Sequence, residues 1–347
     1  MSTQVQPAPK GAGTAGVVGA PRSESLSARL HDLLHRNATL GPLFVLLLAV
    51  IFFALTADRF LAPANLSLIV QQVMVVGTLG IAQTLVILTA GIDLSVGAIM
   101  VLSSIVMAKL GADQGLPGIL SLGLGFCVGT ACGLINGLLI TRLKLPPFIV
   151  TLGTLNVFFA LNLWFSKSET IRGTDMPSLL LWTGKTVSIG DTQITYGSIL
   201  MLVLFGVFAW VLKNTAWGRH VYAVGDDAEA ARLAGVRKDR VLLSVYVVAG
   251  LICAVAGWML IGRIASASPQ AGGTANLDSI TAVVIGGTSL FGGRGLVIGT
   301  LFGALIVGVL RNGLTLAGVD VLWQDFAVGI LIIAAVAIDQ WIRKVKA

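Results

Sequence analysis

Long apolar runs alternate with short polar interruptions along nearly the whole chain. The runs cover Leu43–Leu55, Leu66–Leu88, Ala98–Ala108, Pro117–Ile140, Phe148–Phe165, Tyr196–Leu212, Val241–Ile261, Ser279–Phe291, Leu296–Leu310 and Phe326–Ile342. A helix crosses a bilayer with about 20 mostly apolar residues, and several of these runs approach or exceed that length. A membrane β-barrel would instead show weak alternating segments of about ten residues. The pattern predicts an all-α fold, a polytopic transmembrane helical bundle of about ten membrane segments. Ser279–Phe291 is too short to cross alone and is edged by Gly286, Gly287, Gly292, Gly293 and Gly295, which predicts a half-span or re-entrant hairpin.

One interruption cannot lie in lipid. Trp217–Arg240 carries Arg219, Arg232, Arg237, Lys238 and Arg240 beside Asp226, Asp227, Glu229 and Asp239. Charges in hydrocarbon cost about 2.5–3.5 kcal/mol each even on the mildest scale, so this stretch sits in water. Ala228, Ala231, Leu233, Ala234 and Val236 recur at helical spacing, Asp226 and Asp227 suit a helix N-terminus, and Gly235 suits a stop. A short amphipathic helix on an aqueous face is a handle for a soluble partner.

Composition strengthens the membrane reading. Of 347 residues, 56% are hydrophobic and 11% charged, against roughly 25% charged in a soluble domain; mean hydropathy is +0.91. The net charge of +7 raises the possibility of nucleic acid, but its distribution argues for membrane orientation instead. With the N-terminus in the cytoplasm, sixteen of the 23 Lys and Arg fall on the cytoplasmic side, in the N-terminal tail, 141–146, 213–240, 292–295 and the C-terminal tail. Positive-inside bias therefore places both termini in the cytoplasm. Residues 1–25 lack large apolar side chains and predict disorder. Leu26, Leu30, Leu33 and Leu34 share one face of a predicted surface helix over 26–37. The chain thus divides into a tail with a surface helix (1–40) and one membrane domain (41–347), with 217–240 as its cytoplasmic loop.

Catalytic chemistry is sparse. There is no G-x-x-x-x-G-K-[ST] phosphate loop and no G-x-S-x-G, the three histidines His31, His35 and His220 lie outside the apolar runs, and no metal-ligand spacing involves Cys127, Cys132 or Cys253. GGTSLFGGRG (Gly286–Gly295) lacks a phosphate loop's strand–helix setting and Lys-Ser/Thr ending, so close helix packing is its reading. No enzyme and no bound metal is expected. Asp93, in TAGIDLSVGA, has two open readings. With Thr89 and Ser95 it caps a helix beginning near Leu94, or it lines a passage or gate at a helix break. Asp278 has the same two readings before Ser279. Gln71, Gln83, Asn136 and Asn156 are amides in or near the spans, suited to interhelical hydrogen bonds or to the path of a polyhydroxylated solute.

LTAGIDLSVGAIM (Leu88–Met100), GRHVYAVGDDAEAARLAGV (Gly218–Val236) and ITAVVIGGTSLFGGRG (Ile280–Gly295) resemble the membrane permeases of ribose-type sugar ABC importers, over about 41–347. LPPFIVTLG (Leu145–Gly153), TAWGRHVYAVGDD (Thr215–Asp227) and AVAIDQWIRKV (Ala335–Val345) look nearest to the type that carries fructose, mannose and ribose. The resemblance implies a homodimer in the bacterial inner membrane, a periplasmic sugar-binding protein outside and a cytosolic ATPase inside. ATP and Mg would be held by that ATPase, with no cofactor on this chain and no nucleic acid. It also implies that 218–236 is the coupling helix, with Gly218, Arg219, Gly225, Asp226, Asp227, Glu229, Ala230, Arg232 and Gly235 as its coupling residues. Gln71, Gln83, Asp93, Ser95, Asn136, Asn156 and Asp278 stand as candidates for the path or its gate. A branched-chain amino-acid ABC permease and an ion-coupled secondary transporter are the competing readings, with a non-transporting receptor or scaffold, which would not need polar amides and glycine breaks in the bundle, as a third. The first favours charges along its path. The second needs a titrating acid within the membrane, for which Asp93 and Asp278 are the candidates.

Overall fold

The computed structural model describes residues 39–346; the expected tail (1–25) and surface helix (26–37) lie outside them. Among the described residues are twelve α-helices: α1 (Leu40–Thr56), α2 (Pro63–Leu88), α3 (Val96–Ala112), α4 (Gly118–Arg142), α5 (Pro147–Ser166), α6 (Tyr196–Asn214), α7 (Ala216–Asp226), α8 (Ala228–Leu233), α9 (Lys238–Ile264), α10 (Ala275–Ile285), α11 (Val297–Leu316) and α12 (Val321–Lys346). Six of them (α2, α4, α5, α6, α9 and α11) are long and apolar enough to cross a membrane, while α1, α3 and α10 are shorter apolar helices. Helix starts follow local chemistry. Pro63 and Pro147 open α2 and α5, where a missing N–H costs nothing.

At the centre lies α2, packed against α6, α9, α10 and α11. From Val73 to Leu88 nearly every side chain is buried. Its neighbour α9 packs on α3 and α4 as well. Small residues make the α4–α9 contact: a Cβ at Gly133 would run into the Tyr246 carbonyl, and one at Gly250 into the Gly129 carbonyl. Helices that are apolar on all sides gain little from hiding oil from oil, so backbone approach of this kind holds them. The outward faces stay apolar, with Phe44, Leu48 and Phe52 on α1, Trp164 on α5, Trp210 on α6 and Phe326 on α12 all exposed. An apolar surface that continuous belongs in lipid.

Two expectations need correction. The short span expected over Ser279–Phe291 is helical only as α10, Ala275–Ile285. Gly287, Gly292, Gly293 and Gly295 then take positive φ and fold 286–296 into irregular turns. Nor is the fold strictly all-α. The polar stretch after α5 forms a small cap with three short strands, joined by a fourth that follows α9: β1 (Ile171–Arg172) pairs with β4 (Ser266–Ala267), and β2 (Thr186–Ile189) with β3 (Thr192–Thr195). Gly190 at φ +59 turns the second pair, as a tight hairpin requires. Trp182 stacks between Tyr196 (4.8 Å) and Trp258 (5.7 Å), fixing this cap to α6 and α9.

Candidate functional site

The charged stretch folds as two helices, α7 and α8, rather than the single helix expected over 218–236. Thr215 Oγ1 accepts from Gly218 N (3.1 Å) to cap α7. Asp227 is extended (φ −149°, ψ 104°), which breaks the helix and lets its Oδ1 accept from Glu229 N and Ala230 N, both at 2.9 Å, to cap α8. Gly235, at φ +86, ends it: Val236 N donates to Ala231 O and Gly235 N to Arg232 O, each at 3.0 Å. The Asp cap and the Gly stop are therefore where the sequence put them.

The nine expected coupling residues divide between two faces. Gly218 and Gly225 turn into the bundle with Val221 and Val224, whereas Arg219, Asp226, Asp227, Glu229, Ala230, Arg232 and Gly235 are exposed. Leu233, which helical spacing grouped with the apolar positions, is 75% exposed beside them. Glu229 Oε2 accepts from Arg232 Nε at 3.0 Å, and that guanidinium holds the Glu229 carboxyl below its ordinary range. The outer face is thus a small charged platform with one apolar knob.

The inner face of α7 is joined to three separated segments. A Cβ at Gly225 would collide with the Leu88 carbonyl oxygen and with Gly293 N. Gly293 N itself donates to Leu88 O (3.0 Å), Tyr222 Oη donates to Gly295 O (2.8 Å), and Trp217 Nε1 donates to Ser244 Oγ (2.8 Å). The end of α2, the glycine turn 292–295, α7 and the start of α9 therefore meet in one seam. Sequence reasoning missed Tyr222 here; it read Gly293 as close packing and Leu233 as an apolar helix position, without the partner of the one or the exposure of the other. An isolated Tyr or Gly carries no local signal of a partner 70 residues away.

Beyond the seam lies the α2–α3 break, and four of the seven expected path residues converge on it. Asp93, 1% exposed, accepts through Oδ1 from Ser95 N (2.7 Å) and Ser95 Oγ (2.6 Å). Asn136 Nδ2 donates to Ser95 Oγ (2.8 Å), and Gln83 Nε2 donates to the Asp93 carbonyl (2.9 Å). Thr151 Oγ1 donates to Ile92 O (3.1 Å), tying α5 to the same turn. Asp93 thus shapes the break ahead of α3, which begins at Val96 rather than near Leu94. Ala90 sits at φ +60, a strained conformation for a residue with a side chain. A cavity of about 580 Å³ opens below the break, between Thr89, Lys144, Val224, Lys238 and Tyr246.

The other three candidates lie elsewhere. Gln71 is half-buried on α2, and Asn156 is exposed on α5, where its Nδ2 donates to Leu152 O (3.0 Å). Asp278 does not cap a helix starting at Ser279; it lies inside the first turn of α10, and its Oδ1 meets Arg311 Nη2 at 2.7 Å. Arg311 Nη1 in turn meets Asp325 Oδ1 at 2.9 Å. Among the described residues no group of three or more His, Cys, Asp or Glu could hold a metal.

Residues 65–336 match a family described as branched-chain amino acid transport system / permease component. The chain is 55% identical to the fructose import permease protein FrcC of Rhizobium meliloti, covering 93% of this chain and 91% of that one. It is 42% identical to the ribose import permease protein RbsC of Bacillus subtilis, over 87% of this chain and 92% of the relative. Against the galactose/methyl galactoside import permease protein MglC of Escherichia coli it is 35% identical, over 86% and 93%. No solved structure matches.

Proposed function

The chain belongs to the branched-chain amino acid transport system / permease component family, and from that membership we propose its role. It is the membrane-spanning permease subunit of an ATP-driven monosaccharide importer, with fructose as the first candidate sugar. Relatives named for fructose, ribose and galactose import support a sugar over the amino acid in the family's description.

The α7–α8 end faces the cytosol, as the Lys and Arg distribution requires. Ten crossings then run from a cytoplasmic N-terminus to a cytoplasmic C-terminus, α10 and the 286–296 turn together making one of them. A cytosolic ATPase holds the ATP and Mg and grips the platform of Asp226, Asp227, Glu229, Arg232 and Leu233. A sugar-binding protein docks at the opposite end, and two copies of the chain form the working unit in the inner membrane. Closure of the ATPase pushes α7, and the seam carries that push to the end of α2 and to the 292–295 turn together. Two bundle arrangements of unequal affinity for the ATPase states then alternate access.

One observation carries this reading: a solvated, capped, charged helix pair whose inner face is joined backbone to backbone with both interruptions of the bundle. The test is uptake into proteoliposomes holding the chain, its ATPase and the sugar-binding protein. Sugar uptake should require ATP and survive collapse of the proton gradient. Uptake that persists without ATP and dies with the gradient would make the chain a secondary transporter.

A further inference from the structure

A second cavity, of about 390 Å³, opens at the end of the bundle away from α7, among α2, α9, α10 and α11. Its polar lining includes Gln72, Arg263, Thr274, Asp278, Arg311 and Gln324. We propose that this cavity is the entry chamber for the monosaccharide, with Arg263 and the Asp278–Arg311 pair bonding the sugar's hydroxyl groups. The proposal rests on the sugar-import reading and adds to it the place and the residues of contact.

Size comes first. Pockets for small ligands run from about 300 to 1,000 Å³, so a cavity of 390 Å³ suits a single sugar ring and not an oligosaccharide.

Charge narrows the ligand further. Arg311 is shared between Asp278 (2.7 Å) and Asp325 (2.9 Å), and Thr274 Oγ1 donates to the other oxygen of Asp278 at 3.2 Å. Arg263, in the last turn of α9, makes no ion pair among the described residues. Arg263, Arg311 and Asp278 therefore line the cavity, while Asp325, outside the lining, takes the second side of Arg311 and leaves Arg263 as the unpaired charge. A phosphorylated sugar or an organic acid would meet the Asp278 carboxylate there as well as the arginines. A neutral polyol fits better, since each hydroxyl both donates and accepts: carboxylate oxygens with lone pairs to spare take its hydrogens, and the arginines supply donors to its oxygens.

The plainer explanation is that Asp278 and Arg311 merely tie α10 to α11. It accounts for the pair but not for Arg263, whose charge is left without an ion-pair partner on the same cavity. Nor does it use Arg311 Nε, which is buried without a partner while its neighbours Nη1 and Nη2 are engaged. Ionisable groups at the edge of an apolar bundle are costly unless water or a polar ligand reaches them, and a chamber open to sugar meets that condition. Arg311 is already paired on two sides, so a sugar gains few new bonds. Binding is weak, and release onward is quick.

The experiment uses the permease–ATPase complex in nanodiscs, with saturation-transfer NMR of free fructose, ribose, leucine and fructose 6-phosphate, alongside uptake by the full reconstituted system. Arg263 is exposed and unpaired, so Arg263→Met should not disturb folding; Thr274→Val is the second variant. Fructose and ribose should show saturation transfer with the wild-type complex, and leucine and the phosphate ester should not. Arg263→Met should weaken the sugar signal and raise the apparent KM for uptake by about tenfold or more, the usual effect of losing a charged hydrogen bond; Thr274→Val should have a smaller effect in the same direction. Leucine or the phosphate ester binding in preference to sugar would overturn the ligand class. Wild-type uptake and an unchanged sugar signal in both variants would overturn the chamber while leaving the import reading intact. Unchanged saturation transfer with weakened docking of the sugar-binding protein would make Arg263 a protein contact and also overturn it. Failure of the wild-type system to import any sugar with ATP would instead remove the reading on which the chamber rests.

Discussion

The two ends of this bundle are held together by different means. At the α7 end the closest contacts are main chain to main chain, with Tyr222 and Trp217 adding side-chain bonds around them: Gly225 lies against the Leu88 carbonyl, and Gly293 N donates to that same carbonyl. At the other end the contacts are side chain to side chain, with Arg311 reaching across to Asp278 and Asp325 around a cavity. Backbone packed at this distance cannot yield by changing rotamers, so a push on α7 displaces its neighbours as a unit. Long charged side chains can swing and regroup around a ligand at little cost. On the proposed function, the difference is a division of labour: a stiff end to receive force, and an adjustable end to receive solute.

The sharpest way to break this contrast is to wedge the stiff end apart. Gly225→Val places a side chain against Leu88 O and Gly293 N, and overpacking of this kind costs about 1–3 kcal/mol or more. Sugar uptake should fall by more than tenfold while ATP hydrolysis continues, as measured by the ratio of sugar moved to phosphate released. An unchanged ratio would mean that the seam transmits nothing. The buried break between the two ends should come next. Asp93→Ala removes the acceptor of both Ser95 N and Ser95 Oγ, and each buried donor left unpaired costs about 1–3 kcal/mol. Thermal unfolding in nanodiscs should drop clearly for Asp93→Ala and much less for Asp93→Asn, whose amide oxygen keeps the Ser95 N bond. Equal losses in the two variants would show that charge, and not turn geometry, is what Asp93 supplies.

These predictions draw on two kinds of information that differ in how far the sequence reveals them. The caps were legible: Asp227 and Gly235 act within a few residues of their own positions, whereas Asp93 accepts from Ser95 N in the turn ahead of α3 without capping that helix. Apolar run lengths gave the long helices for the same reason, because helix formation and burial are read from neighbouring residues. Pairings across the chain left no such trace. Asp278 looked like a cap because Ser279 and an apolar run follow it, yet its partner is Arg311 from the next helix. Each glycine-rich interruption was visible separately, at 89–97 and 286–295, but their meeting at Gly225 depends on how α2 and α11 pack. The hairpin of β2 and β3 was hidden by its brevity, since four-residue strands of mixed polarity resemble any solvated loop.

Smaller changes refine the stiff end. Tyr222→Phe deletes only the bond to Gly295 O, worth about 1 kcal/mol, so coupling should weaken measurably without being lost, and uptake per ATP should fall by a few-fold at most. The mildest effect belongs to the platform. The Glu229 carboxyl is depressed by Arg232 below its ordinary value of 4.5, so the pair is intact at neutral pH and begins to fail only as pH falls below that value. ATPase binding measured across a pH series should show no step near neutrality attributable to Glu229. Glu229→Gln should match the acid-side behaviour at neutral pH.

The account depends most on which side of the membrane α8 faces. Leu233→Cys, in a background with the exposed Cys127 replaced, gives a thiol at the most projecting apolar position of the platform. A membrane-impermeant maleimide should leave it unlabelled in intact spheroplasts, label it in inverted vesicles, and be blocked when the ATPase subunit is bound. Labelling in intact spheroplasts would put the charged end outside the cell and contradict the account.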